Sequence, residues 1–99
     1  MTKYVVETVV VSRHEGAVEW LKNRGIIGDR IISHVENPVE IEGCIVYGNI
    51  PLHLAAVAES VFSVEIPNLP KEFRGADLTP EQMDEFGARL RQYSVVEIE

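Results

Sequence analysis

Residues 8–20 read TVVVSRHEGAVEW, a strand pattern followed directly by the pattern of a helix start. Its apolar start completes a run from Tyr4 to Val11 that predicts a strand covered on both faces of its sheet. Ser12 and Glu15 have the Ser-x-x-Glu spacing of a capping box, in which each side chain bonds a backbone amide at the start of a helix. We therefore expect a helix with Ser12 as its N-cap, ended by Gly25.

Further strands and helices alternate along the rest of the chain. The patterns predict strands at 30–35, 44–47, 61–66 and 93–98, an unassigned connector at 39–42, and helices at 51–58 and after 79. Thr79 and Gln82 form a second capping box, followed by an apolar stripe at helical spacing: Met83, Phe86, Gly87 and Leu90. The order β-α-β-β-α-β-α-β predicts an α/β fold, a mainly parallel sheet of about five strands with three helices on its faces.

Composition limits the class of protein. The 99 residues suit one domain, 1–99. The formal net charge of −7 disfavours a general duplex-DNA binder, which would show a basic excess. The single cysteine, Cys44, excludes an intrachain disulfide, and it follows a glycine at the start of an apolar run that predicts a buried position. Because there is neither a signal pattern nor a membrane-length apolar stretch, we expect a cytoplasmic protein without membrane contact.

The candidate site lies where the chain leaves the strands. Open α/β sheets bind ligands outside the carboxyl ends of their strands, and segments 12–16 and 48–53 are expected there. Arg13 and His14 are predicted in the first turn of a helix, where a cation opposes the helix dipole, so a bound anion would compensate them. Exposure of both side chains to solvent is the alternative. For His53, at the start of the second helix, a structural role and a site role are equally supported.

Other polar residues flank this region. Asn49 is expected to cap the second helix and to contact a ligand as well, and Arg74 lies in a loop from which it can reach a ligand or solvent. His34 ends a strand, where a structural role is favoured. An N-cap role explains why a serine occurs at position 12. Its hydroxyl can still contact a phosphate, but it is not expected to act as a nucleophile. No zinc-ligand spacing, aspartate pair or glycine-rich phosphate motif occurs, so no metal or cofactor is expected.

Three blocks of the sequence together resemble one family. They read VVVSRHEGAVEWL at 9–21, NIPLHLAA at 49–56 and FRGADLTPEQMDEFGARL at 73–90, and SRH-x-GA-x-EW is the specific part. The chain resembles the small CRISPR-associated, Csx-type proteins of type III systems that act as ring nucleases. The resemblance covers nearly the whole chain, in order. Ile50 departs from it, since leucine is expected there.

The resemblance implies a Rossmann-like homodimer that cleaves cyclic oligoadenylate, above all cyclic tetra-adenylate, and so switches off type III signalling. By motif match, phosphate and ribose handling falls on Ser12, Arg13 and His14. Ligand contact falls on Asn49 and His53. The chemistry of these residues fits metal-independent attack by a ribose 2′-hydroxyl, in which Arg13 stabilises the phosphorane. Either His14 or His53 is the general acid or base.

Three other functions stay open on the sequence alone. A protein that binds the ring without cutting it is favoured if neither histidine faces the site. An interaction protein that docks on a CRISPR effector predicts no pocket at the strand ends and an exposed apolar patch elsewhere. A phosphatase-like enzyme is disfavoured because the sequence shows no obvious nucleophile or metal site.

Overall fold

The computed structural model describes residues 6–99, so the Tyr4 and Val5 part of the predicted first strand lies outside the described residues. The described strands are β1 (Thr8–Val11), β2 (Arg30–Ile32), β3 (Ile45–Tyr47), β4 (Ser60–Glu65) and β5 (Arg89–Tyr93). The α-helices are α1 (Glu15–Asn23), α2 (Leu52–Ala55) and α3 (Pro80–Glu85), and short 3₁₀ helices span Pro38–Ile41 and Lys71–Phe73. The predicted order of strands and α-helices is confirmed. No helix within residues 6–99 has the length and apolarity needed to cross a membrane.

The strands form one sheet in the order β2-β1-β3-β4-β5. β1 pairs in parallel with β2 and with β3, and β3 pairs in parallel with β4. Only β5, among the described strands, is antiparallel to its neighbour. The predicted mainly parallel α/β fold is therefore confirmed. Because the chain runs outward from β1 to β2 and then returns past β1 to β3, the strand order switches between β1 and β3.

Both faces of the sheet are covered, as the continuous apolar run of β1 predicts. Val9 belongs to the apolar cluster on the face of α2, and Val10 to the cluster formed with α1 and α3. Successive side chains of a strand point to opposite faces, so one short strand supports both layers. The largest fully buried side chains are Val9, Val10, Trp20, Leu21, Ile41 and Val46.

Cys44 lies in the core, as its apolar sequence context predicts. It is 6% exposed, and its thiol donates to Oε1 of Glu7 at 3.6 Å. Burial, with a smaller effect of Glu7, raises the pKa of this thiol. Cys44 is therefore a protonated core residue and a poor nucleophile.

The first helix begins later than the capping box predicts. The amide of Ser12 donates to the carbonyl of Ile32 at 3.0 Å, which ties Ser12 to β2 just after the end of β1. Its hydroxyl accepts from the amide of His14 at 3.1 Å, a local turn. His14 is the N-cap and makes no side-chain capping bond. The prediction that Ser12 and Glu15 cap the helix is wrong, and Arg13 and His14 precede the helix instead of lying in its first turn.

The second helix is one turn long, well short of its predicted length. The amide of Glu59 donates to the carbonyl of Cys44 at 2.8 Å, which directs the chain into β4 soon after α2. Pro51 is the N-cap, without a side-chain capping bond. Asn49 does not cap α2, because its side-chain oxygen accepts from the amide of Val64 at 2.8 Å and its nitrogen donates to the carbonyl of Val64 at 2.9 Å.

The third helix begins as predicted and ends early. The amide of Gln82 donates to the hydroxyl of Thr79 at 3.1 Å, and the amide of Thr79 donates to the side chain of Gln82 at 3.0 Å. The last helical residue is Glu85. Gly87, at φ 80°, has the left-handed conformation that ends helices. The predicted stripe is therefore wrong beyond the helix, because Leu90 lies in β5.

The last strand is also shifted from its predicted position at 93–98. Its register places Tyr93 opposite Val61, so only Ser60, the first residue of β4, remains on β4 beyond this pair. Residues 94–99 consequently form neither helix nor strand. Their alternating Val96 and Ile98, which predicted the strand, are 79% and 93% exposed.

A capping box orders the connector around residues 38–41. The carboxylate of Glu40 accepts from the amides of Asn37 and Glu36, at 3.0 and 2.8 Å. These bonds, that from Asn37 first, lower the pKa of Glu40 below its ordinary value of 4.5. Hydrogen bonds to the charged form produce such a shift, since protonation would break them.

Glu40→Gln is expected to remove a pH-dependent part of the stability. Because the pKa of Glu40 is lower in the folded protein than in the unfolded chain, its stabilisation is present above the unfolded-state pKa. The stabilisation is lost as the pH falls through the folded-state pKa. Urea unfolding at pH 7 and at decreasing acidic pH, on wild type and variant, should show a difference in midpoint that shrinks toward low pH. A difference independent of pH would contradict this assignment.

Candidate functional site

A cavity of about 750 Å³ opens at the carboxyl ends of the parallel strands. Its walls come from the segments that follow β1, β2 and β3, from the start of α2, and from the chain between β4 and α3. It lies at the point where the strand order switches, the usual ligand position in open α/β sheets. The polar side chains that line it are Ser12, Arg13, His14, His34, Asn49 and His53.

Five of the six residues predicted for the site line this cavity, and Arg74 does not. Its neighbours Phe73 and Gly75 are both in the lining. Phe73 turns inward and contacts the ring of Phe86, with 5.2 Å between centroids. The side chain of Arg74 is exposed. Its neighbours thus form the wall while Arg74 itself faces away.

The charge of the cavity is opposite to that of the whole chain. Its lining contains Arg13 and all three histidines of the sequence, and no Asp or Glu among the described residues. The chain as a whole has a net charge of −7. A site lined in this way attracts an anion despite the net charge, because nearby groups dominate the local potential.

Asp77 joins the site as a residue that the sequence did not predict. Nδ1 of His14 and Oδ1 of Asp77 form a short hydrogen bond, with side chains 53% and 80% exposed. With a carboxylate as acceptor, Nδ1 holds the proton and Nε2 is left to exchange one with a ligand. The two residues are 63 positions apart, so no local spacing reveals the pair. The available signal was that Asp77 lies in the block 73–90 that resembles the family.

The loop that carries Asp77 is held by a close approach at Gly16. A Cβ on Gly16 would lie 1.7 Å from the carbonyl oxygen of Leu78, so only glycine permits this backbone contact. Trp20 also holds α1 against α3, because its indole N–H donates to Asp84 of α3 at 2.8 Å. The packing of α1 on α3 therefore determines where Asp77 meets His14.

Gly48 and Asn49 shape the opposite side of the cavity. A Cβ on Gly48 would lie 2.1 Å from the carbonyl oxygen of Val11, so glycine lets β3 end close beside β1. The side-chain oxygen of Asn49 accepts from the hydroxyl of Ser63 at 3.1 Å in addition to its bonds with Val64. One amide hydrogen of Asn49 is left for a ligand. Asn49 thus fixes the loop after β3 while its side chain borders the cavity.

The remaining histidines border the cavity from two further elements. His53 lies in the single turn of α2 and is exposed. His34 follows β2, with Nε2 3.8 Å from Glu36. A structural role was favoured for His34, and the structure places it in the lining. Within residues 6–99, no group of three or more His, Cys, Asp or Glu side chains is arranged to hold a metal ion.

The fold and the cavity define a small α/β protein with an anion-suited ligand site at the switch point of its sheet. Residues 9–96 match the family model described as "Putative CRISPR-associated protein (Cas_VVA1548)". Because the match covers most of the chain, the protein belongs to this family of CRISPR-associated proteins. No match to it was found among the curated proteins or the solved structures.

Proposed function

We propose that this protein is a ring nuclease that opens cyclic oligoadenylate, in particular cyclic tetra-adenylate, and thereby ends type III CRISPR signalling. The supporting observation is the cavity, whose described lining contains Arg13 and three histidines and no carboxylate. Membership of a CRISPR-associated family gives this anion site its biological context.

The ligand and the cavity have matching chemistry. Cyclic tetra-adenylate carries a phosphate at each nucleotide, and Arg13 supplies a cation beside the first amides of α1. No side chain in the described part of the chain caps that helix start, so its free N–H groups suit a phosphate oxygen. The four-residue α2 is too short to add a comparable dipole. A two-fold dimer would present these groups twice to a symmetric ring.

The proposed reaction is an in-line transfer within the ring. The ribose 2′-oxygen forms a bond to the adjacent phosphorus, and the bond from that phosphorus to the 5′-oxygen breaks. A base takes the proton of the 2′-hydroxyl, and an acid protonates the leaving 5′-oxygen. Arg13 stabilises the charge on the phosphorane, and His14 and His53 supply the acid and base groups. The products are linear oligoadenylates with a 2′,3′-cyclic phosphate and a 5′-hydroxyl.

The other functions predict a different arrangement. Binding without cleavage was expected if neither histidine faced the site, whereas His14 and His53 both line the cavity. An effector-docking protein was expected to lack a pocket at the strand ends, where the cavity lies. We therefore propose cleavage as the function. Binding without cleavage is one possible outcome of the test.

The deciding experiment incubates the purified protein with cyclic tetra-adenylate in EDTA and resolves the products by liquid chromatography and mass spectrometry. Linear products with a 2′,3′-cyclic phosphate are expected. An intact ring would overturn the proposal. A binding titration would then separate a sponge or sensor, which binds the ring, from a docking protein, which does not.

Asp77→Asn is expected to slow cleavage by roughly tenfold or more, a part of what acid–base catalysis contributes. The asparagine amide can donate to Nδ1 of His14, which moves the ring proton to Nε2 and reverses the tautomer. Single-turnover rates across pH should show a lower maximum with an altered pH profile, while ring affinity changes little. Glu81→Gln, an exposed carboxylate in the first turn of α3, is the matched control. An unchanged profile for Asp77→Asn would show that the pair has no role in positioning His14.

A further inference from the structure

The cavity at the strand ends has two chemically different parts. Its polar side chains come from residues 12–14, 34 and 49–53. Another part is built by the chain from β4 to α3, and the described lining there contains no polar side chain. The apolar residues of this part, which we call the apolar wall, are Val64, Ile66, Leu69, Phe73, Leu78 and Met83. The cationic part therefore suits phosphate, whereas the apolar wall suits an uncharged, flat group.

Phe73 gives the apolar wall an aromatic surface. It is the one Phe, Tyr or Trp among the described residues of the cavity lining. Phe73 is half-buried, whereas Glu72 and Arg74 on either side of it are exposed. Its phenyl group lies 5.2 Å from that of Phe86, with 50° between the two planes. Because Phe86 is not in the lining, it supports Phe73 from outside the cavity and leaves part of the phenyl surface to a ligand.

Hydrogen bonds hold the backbone at Phe73. Its amide donates to the carbonyl of Pro70 at 3.0 Å, and its carbonyl accepts from the amide of Ala76 at 3.0 Å. The amide of Asn68 donates to the carbonyl of Phe86 at 3.3 Å, which ties the start of this loop to the end of α3. A side chain on a backbone fixed in this way needs little further ordering when a ligand stacks on it.

The loop that carries Phe73 also reaches the polar part of the cavity. Asp77, four positions after Phe73, forms the hydrogen bond with His14. Gly75 and Ala76, which lie between Phe73 and Asp77, line the cavity. Four residues span at most about 14 Å, which is of the size of one nucleotide with the side chains that flank it. One nucleotide can therefore contact the cationic part with its phosphate and the apolar wall with its base.

We propose that Phe73 is a base-stacking residue, on which an adenine base of cyclic oligoadenylate lies while the phosphate of that nucleotide is at Arg13. The inference rests on the proposed function and deepens it, since the residues assigned there contact only phosphate and ribose. Proteins commonly hold an unpaired base against an aromatic side chain, because every base has a π-face. Stacking at Phe73 fixes the orientation of the nucleotide, and its main effect is on ligand affinity.

Phe73→Leu tests the aromatic surface and keeps an apolar side chain in the wall. It should raise the Kd of 2′-O-methyl cyclic tetra-adenylate, which stays intact, about fivefold to 100-fold, the usual cost of losing one base-stacking partner. Phe73→Tyr keeps the aromatic surface and should bind nearly as tightly as wild type. Phe62→Leu is the matched control, because Phe62 is also half-buried and stacks on Tyr47 at 4.5 Å, but it does not line the cavity. Isothermal titration gives the Kd values.

Mononucleotide probes test the stacking apart from the cyclic ligand. Adenosine 5′-monophosphate and ribose 5-phosphate share a phosphate and a sugar, and only the first has a base. NMR titration of wild type should give a Kd for adenosine 5′-monophosphate at least about fivefold below that for ribose 5-phosphate. Phe73→Leu should make the two Kd values nearly equal. The aromatic resonances of Phe73 should shift with the nucleotide and stay unchanged with the sugar phosphate.

These measurements separate the inference from the proposed function. If wild type neither binds nor cleaves cyclic tetra-adenylate, the proposed function fails, and the two mononucleotide probes still decide whether a base stacks on Phe73. If wild type cleaves the cyclic ligand but Phe73→Leu binds it as tightly as Phe73→Tyr, the stacking role is overturned and the proposed function stands. Equal Kd values for the two probes in wild type, a comparison that needs no variant, would also overturn it.

A control for folding distinguishes stacking from a general loss of packing. Circular dichroism and thermal unfolding verify that each variant is folded. If Phe62→Leu weakens binding as much as Phe73→Leu, the effect belongs to the stability of the core, and the stacking role is contradicted. A loss of affinity confined to Phe73→Leu and absent from Phe73→Tyr supports it.

Discussion

Arg13→Ala should slow the cleavage of cyclic tetra-adenylate by roughly 10²–10³-fold, the usual cost of removing a donor to transition-state charge. Arg13 is the one Arg or Lys among the described residues that line the cavity. Within residues 6–99, no second cation of that kind lines the cavity to replace it. Ring affinity should fall as well, since the same guanidinium meets the phosphate before the reaction.

The controls separate this local effect from a change in total charge. Lys22→Ala removes the same charge from an exposed position in the last turn of α1, and it should cleave at nearly the wild-type rate. Arg13→Lys keeps the charge and loses the forked donor geometry, so an intermediate rate is expected. Cleavage by Arg13→Ala at the wild-type rate would place the phosphate elsewhere.

His14→Ala should lose cleavage by roughly 10²–10⁴-fold, the range of general acid–base catalysis, and still bind the ring. His53→Ala should show a smaller loss. The difference is expected because Asp77 orients the ring of His14. Nothing comparable is bonded to His53 among the described residues. Single-turnover rates give the cleavage step for each variant.

Binding is best measured with a 2′-O-methyl cyclic tetra-adenylate, which lacks the attacking hydroxyl and stays intact. His34→Ala is the matched control, because His34 lines the same cavity without an assigned role in the reaction. It should change the rate by no more than a few fold. If the His14, His53 and Arg13 variants all cleave normally, the reaction takes place at another site. Equal loss of affinity and rate at His14 would make it a binding residue only.

Much of the site could be predicted because it follows from strand topology. Once β1 and β3 are recognised as parallel strands, the polar residues after them must meet at one edge of the sheet. Arg13, His14 and His53 were placed there from the sequence, and all three line the cavity. Asp77 could not be placed in this way, because its loop position depends on the packing of α1 against α3.

The element ends show where local signals compete with longer contacts. Ser12 has the sequence of an N-cap, but the hydrogen bond from its amide to Ile32 holds it beside β2. Gly87 fits a helical apolar stripe, yet its left-handed conformation ends the helix. Glycine as a helix-ending residue was a better signal here than the apolar stripe. A glycine at the C-terminus of a helix acts through its own backbone conformation. The turn at Gly87 then determines where β5 begins and so its register on β4.

Features that depend on near neighbours could be predicted from the amino-acid order: the strand of residues 8–11 and the capping box of Thr79 and Gln82. Periodicity and capping act within one turn or one strand, so they are encoded in adjacent residues. The hydrogen bond between His14 and Asp77 and the start of α1 after Ser12 became clear only from the folded chain. These outcomes depend on hydrogen bonds between segments far apart in the chain, and only packing of the whole sheet brings such partners together.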